Sequence, residues 1–143
     1  MPVFPVGIPE DVTSRTVLAI RGRYDFAVDG GEISTIALTS GTPIPSGSTI
    51  IGGYVDVITQ LTSGGAATIA CQVEGANDIL TAVAVASWTT GCKNVLPAPT
   101  TGALTASTAV RTTADRNISI VIASFALTAG KFDVVLYVIP PAA

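Results

Sequence analysis

The sequence predicts an all-β fold, a single-domain antiparallel β-sandwich or jelly-roll-like barrel with an extended N-terminal arm. Three observations predict it. Apolar and polar residues alternate with a period of two over short runs, Gly, Pro, Asn, Asp and Ser clusters punctuate those runs, and one stretch alone reads as helix. A chain of 143 residues fits one domain and can bury one sizeable core without staples. Residues 1–15 are expected to form the arm and 16–143 the β-domain. No internal repeat points to a propeller or solenoid.

The arm comes first. Pro2, Pro5 and Pro9 block both helix and ladder, because each lacks an N–H donor, so the stretch is expected to be extended or polyproline-like. Val3, Phe4, Val6 and Ile8 make it too apolar for a free tail. Pro2, Val3, Phe4, Pro5, Val6 and Ile8 are therefore the candidate partner-contact residues. They lie either on a neighbouring subunit or back on their own domain.

Val17 to Val28 reads as a strand, with Leu18, Ile20, Gly22, Tyr24, Phe26 and Val28 on one parity and Arg21, Arg23, Asp25, Ala27 and Asp29 on the other. Gly22 marks an expected bulge, and Asp29-Gly30-Gly31 a turn. Ile33, Ile36 and Leu38 form a second strand, ended by Ser40-Gly41-Thr42-Pro43. After the turn Pro45-Ser46-Gly47, Ser48 to Leu61 is strand, rich in β-branched residues, with a bend or bulge at Gly52-Gly53. Thr62 to Gly65 turns the chain and Ala66 to Val73 returns.

Asn77 to Ala86 carries signals of both kinds. Asn77 and the alanines favour a helical turn or two, while Thr81, Val83 and Val85 alternate as in a strand; the reading leans to helix. Ser87 to Ser107 is loop-like and long enough to be functional or mobile. Thr108 to Thr113 is a short strand, Ala114 to Asn117 a turn, and Ile118 to Phe125 a strand. Leu127 to Lys131 is expected to turn. Phe132 to Ile139 is apolar on both parities, as in a central strand covered on both sides, and Pro140-Pro141 stops it.

Charged residues make up only 12% of the chain, so its surface is built largely of Thr, Ser, Ala and Gly. That is about half the usual ~25%, and it points to a surface partly covered by other protein. A net charge of −3 with no basic stripe leaves no footprint for nucleic acid. No segment is apolar for long enough to span a membrane, and the N-terminus does not read as a secretory signal, so a cytosolic origin is expected.

Histidine is absent, which removes the commonest general base and metal ligand. Asp25, Asp29, Glu32, Asp56, Glu74, Asp78, Asp115 and Asp133 read as turn residues and wet-face charges rather than a hydrolytic pair. Asp29 to Glu32 is too short for a calcium loop. Cys71 shares a face with Ile69 and Val73 and reads as a small core hydrophobe, and Cys92 is expected in a loop. Whether they pair is left open, and zinc is not expected. Trp88 is a sugar platform or, more in keeping with one tryptophan, part of the core. No catalytic residue, cofactor or metal site is expected.

Four segments in order carry a family resemblance: Tyr24 to Gly31, Ile50 to Val57, Gly75 to Leu80, and Arg116 to Ile120 with Leu127 to Val134. This ensemble resembles the head decoration, or cement, proteins of tailed bacteriophages, over about Val17 to Ile139. The resemblance implies a structural, non-enzymatic protein on the outside of a capsid. It implies homotrimers that clamp neighbouring major capsid proteins, no cofactor, assembly in the bacterial host cytoplasm, and in some members terminal arms across neighbours. A tail or other minor virion protein and a carbohydrate-binding β-sandwich module are the alternatives.

Overall fold

A computed structural model describes residues 16–93 and 109–141. In order these form β1 (Leu18–Asp25), the single-turn helix α1 (Phe26–Asp29), β2 (Thr35–Ala37), β3 (Thr49–Ser63), β4 (Thr68–Gln72), β5 (Leu80–Ala84), a 3-10 turn (Val85–Ser87), β6 (Gly91–Lys93), β7 (Val110–Arg111), β8 (Ser119–Ala123) and β9 (Leu127–Ile139). Two antiparallel sheets form a β-sandwich. One runs β1-β9-β3-β6 with β7 also on β3; the other runs β2-β8-β4-β5. Candidate residues Pro2, Val3, Phe4, Pro5, Val6 and Ile8 lie outside the described residues.

The inward parity of each long strand builds the core. Ile20 and Tyr24 of β1, Val55, Val57 and Leu61 of β3, Ile120 and Ile122 of β8, and Phe132, Val134, Leu136 and Val138 of β9 are buried. An aromatic stack spans the core: Phe132 lies 5.3 Å from Tyr24 and 4.8 Å from Trp88, centroid to centroid. Trp88 is thus a core residue and not an exposed platform. Tyr24 is anchored by its hydroxyl, which donates to the Gly30 carbonyl at 2.6 Å. Burial, reinforced by Asp29 and Asp25, pushes its pKa up to about 12.

β9 is central, as its apolar sequence predicts, because it pairs with β1 on one edge and β3 on the other. Its outward residues Asp133 and Val135 are also buried, but Tyr137 is 38% exposed, so the outer face is covered only in part and not along the whole strand as the sequence predicts.

Several elements differ from expectation, each for a local reason. β1 stops at Asp25, whose carboxylate accepts from the Ala27 N–H at 3.0 Å and starts α1. Phe26 then packs on the core while Val28 turns outward. Gly22 makes no bulge: the β1–β9 register runs unbroken from Leu18 to Asp25. A Cβ there would sit 3.0 Å from that of Leu38, so this glycine permits close approach of the two sheets. The expected bulge at Gly52-Gly53 is present, as a register shift between Ile50 and Gly52. Ile33 lies outside β2 and is exposed.

Asn77 to Ala84 is not helical, and only Val85 and Ala86 enter the 3-10 turn. Residues 80–84 pair with β4, Ile69 opposite Val83 and Cys71 opposite Leu80, so ladder pairing overrides alanine's propensity. Asn77 occupies a left-handed turn at φ 59° instead of capping a helix. The expected loop from Ser87 contains β6, which places Cys92 in a strand opposite Asp56. The expected turn at Leu127 to Lys131 is the start of β9, and the chain reverses earlier, at Ser124 with φ 71°. Gly130, at φ 136°, sits where β9 crosses Leu61, in the irregular part of the β3–β9 ladder. There glycine marks a bulge rather than a reversal.

Candidate interaction surfaces

The outer face of the larger sheet gathers side chains that the sequence spreads over more than a hundred positions. Register places Arg23, Asp133, Asp56 and Cys92 in one row across β1, β9, β3 and β6. Asp133 and Asp56 face each other directly, a pairing of like charges that costs stability by itself. The Arg23 guanidinium answers it: Nε and Nη2 donate to the two Asp133 carboxylate oxygens at 2.7 and 2.9 Å. Arg21 adds a longer contact to Asp133 at 3.8 Å. The Asp133 hydrogen bond, with its charge, raises the Arg23 pKa further. Asp133 is therefore a buried ion-pair centre, not the wet-face charge its parity predicts. The next rows hold Tyr54 and Tyr137, whose centroids are 6.2 Å apart with planes tilted by 51°.

Four further carboxylates are held in structural roles. Asp78 accepts from the N–H groups of Val73, Glu74 and Gly75 at 2.8–2.9 Å. Glu74 accepts from Arg116 Nε at 3.0 Å and Nη2 at 3.1 Å, and also from the Thr113 hydroxyl. The Arg116 hydrogen bond, with that of Thr113, holds its pKa down to about 2. Asp25 pairs with Lys131 at 3.3 Å, and Asp115 accepts from the Ser46 N–H at 2.9 Å. Among the described residues no group of three or more His, Cys, Asp or Glu side chains is placed to hold a metal.

Cys71 and Cys92 are both free. Burial pushes the Cys71 thiol up to about 12, and desolvation with the nearby Asp56 raises that of Cys92. Burial keeps Cys71 from the thiolate form.

A second surface lies at one end of the sandwich, where β1, β3 and β8 finish and β2, β4 and β9 begin. Val28, Ile33 and Phe125 project from the connections there, 80%, 58% and 48% exposed. None of the three was a candidate site residue in the sequence, where Val28 and Phe125 continue the alternation of the preceding strands. A cavity of about 270 Å³ opens between β5 and β6, lined by Val55, Leu80, Val83, Ser87, Trp88 and Lys93. Among the described residues no helix is long and apolar enough to cross a membrane.

These features define a β-sandwich with candidate interaction surfaces and several structurally committed carboxylates. No family model and no curated protein matches the chain. Solved structures do match in fold. A chain of the cyanophage Pam1 capsid asymmetric unit superposes with a TM-score of 0.60 at 19% identity, covering 99% of this chain and 94% of that one. A chain of the Ralstonia phage GP4 capsid gives 0.58 at 15% identity, covering 90% and 86%. A chain of the acid-stable capsid of Helicobacter pylori bacteriophage KHP30 gives 0.57 at 12% identity, covering 90% and 93%. The chain thus has the β-sandwich fold of proteins found in phage capsids.

Proposed function

We propose that this chain is a structural protein of a tailed-phage virion that binds the outside of the capsid and stabilises contacts between major capsid proteins. The observation that carries the reading is the shared fold: three phage capsid structures contain chains that match this one along nearly their whole length, in both directions. The surface chemistry supports it. Low charge, tyrosine and arginine on an open sheet face, and exposed apolar side chains at one end suit protein contacts. Asp25, Glu74, Asp78, Asp115 and Asp133 serve backbone caps and ion pairs.

In this reading the chain forms a homotrimer. The arm residues Pro2, Val3, Phe4, Pro5, Val6 and Ile8 lie on a neighbouring subunit and strengthen assembly. Light scattering of the purified protein, alone and with empty heads, tests the proposal. A trimer that co-sediments with heads supports it. A monomer that ignores heads refutes it, and a positive glycan screen on that monomer would transfer the Tyr54–Tyr137 face to a sugar-binding role.

A further inference from the structure

We infer that the sandwich end carrying Val28, Ile33 and Phe125 is a docking surface for a protein face that offers an apolar hollow ringed by arginine or lysine. Under the reading just proposed, on which the partner's identity rests, that face belongs to the outer surface of the capsid shell. Val28 and Ile33 are the most exposed large hydrophobic residues among those described, and Phe125 shares their end of the molecule. Single exposed apolar side chains are ordinary on protein surfaces; this end joins the two most exposed of them to Phe125, whereas Val17, Leu18, Ile51 and Tyr137 at the opposite end are 38–51% exposed.

Each of the three is fixed outward by its backbone. Val28 rides on α1, which Asp25 caps at its start and which Gly30, donating to the Phe26 carbonyl at 3.0 Å, closes at its end. Ile33 lies between two ties to the β8–β9 segment, Leu127 N–H to the Gly31 carbonyl at 2.7 Å and Ile122 N–H to the Ser34 carbonyl at 2.9 Å. Gly31 sits so close that a Cβ would fall 2.2 Å from the Leu127 carbonyl oxygen. Phe125 follows Ser124, a non-glycine residue at φ 71°, and its ring lies over Gly65, where a Cβ would be 2.7 Å away. Strained or over-determined backbone holding apolar groups in water is pre-organisation for contact, since little ordering is left to do on binding.

Charge selects the partner. Glu32 and Asp29 flank these side chains and form no salt bridge to a lysine or arginine among the described residues, Asp29 accepting from the Asp25 N–H at 2.9 Å, whereas Asp25 is already paired with Lys131. Two copies meeting through this end would oppose their acidic rims, and anionic lipid would be repelled in the same way. A basic protein face is the complement that gains from both the apolar and the acidic parts.

The test uses the full chain and shells assembled from the cognate major capsid protein, in co-sedimentation at low and high salt. A Val28→Ser/Phe125→Ser double variant should lose at least about tenfold in affinity, the loss expected for central apolar contacts. Glu32→Lys should lose several-fold at low salt, with the difference shrinking as salt rises. Ile51→Ser, an equally exposed site at the opposite end of β3, should bind like wild type. Thermal unfolding and solution mass check that each variant is folded, and if the double variant is not, Glu32→Lys decides. Wild-type binding left unchanged by both changes would overturn the inference and leave the capsid reading standing. Failure of the wild type to bind shells would remove that reading and the inference with it. Concentration-dependent self-association abolished by the double variant would assign this end to a second copy and overturn the inference too.

Discussion

Truncating the two phenylalanines at opposite extremes of burial should separate the core from the docking surface by stability alone. Phe132 is fully buried and touches both Tyr24 and Trp88, whereas Phe125 is 48% exposed. Phe132→Ala removes the whole ring from a closed site, so about 3–5 kcal/mol should be lost, the upper half being expected because two aromatic contacts go with it. A domain of this size is stable by roughly 5–15 kcal/mol, so the change consumes a large part of the total. Taking a urea m-value of about 2 kcal/mol/M, the midpoint should fall by ~2 M. Phe125→Ala, the same chemical change, should cost less than about 1 kcal/mol. Equilibrium urea unfolding followed by Trp88 fluorescence, at fixed protein concentration because assembly shifts apparent stability, measures both. A Phe132→Ala midpoint no lower than that of Phe125→Ala would refute the placement of the aromatic stack.

Three further outcomes follow from the same geometry. Glu74, held to a pKa of about 2 against an ordinary 4.5, stabilises the fold above pH 4.5 and loses that contribution as pH falls towards 2. Glu74→Gln should therefore be less stable than wild type at neutral pH and indistinguishable from it near pH 2 in acid-unfolding curves. Gly130→Ala places a Cβ 2.6 Å from Leu61 at φ 136°, and should lower stability by ~1–3 kcal/mol in the same urea assay. Thiol titration with an aromatic disulfide reagent should modify Cys92 in the folded protein, more slowly than a free cysteine, and Cys71 only after unfolding.

Most of the sheet content was legible because alternation is a local signal. Ile20 with Tyr24, Ile118 with Ile120 and Ile122, and the inward Phe132, Val134, Leu136 and Val138 fell on the faces that their parity predicts, while outward Tyr137 stayed exposed. Glycine was the ambiguous symbol: the same residue that reads as a turn or bulge marked close approach of the two sheets at Gly22 and a bulge inside a continuous strand at Gly130. Asn77 to Ala86 misled for a different reason. Alanine-rich local preference is worth tenths of a kcal/mol per residue, while pairing with β4 supplies a hydrogen-bonded neighbour and buries Leu80. That partner is distant from what a local window can weigh.

The interaction surfaces were the least legible part, because a period of two says which way a side chain points and nothing about what covers it. Asp133 has outward parity and is buried all the same, since Arg21 and Arg23 from β1 close over it. Val28, Ile33 and Phe125 are apolar and open to water because all three lie in connections, Val28 and Ile33 between β1 and β2 and Phe125 between β8 and β9. Connections pinned by a cap, a glycine contact or a positive φ leave apolar groups outside the core without leaving them free to move. Such a device stabilises nothing in the isolated domain. Its stability cost is offset once another molecule completes the burial, which is the outcome the docking variants test.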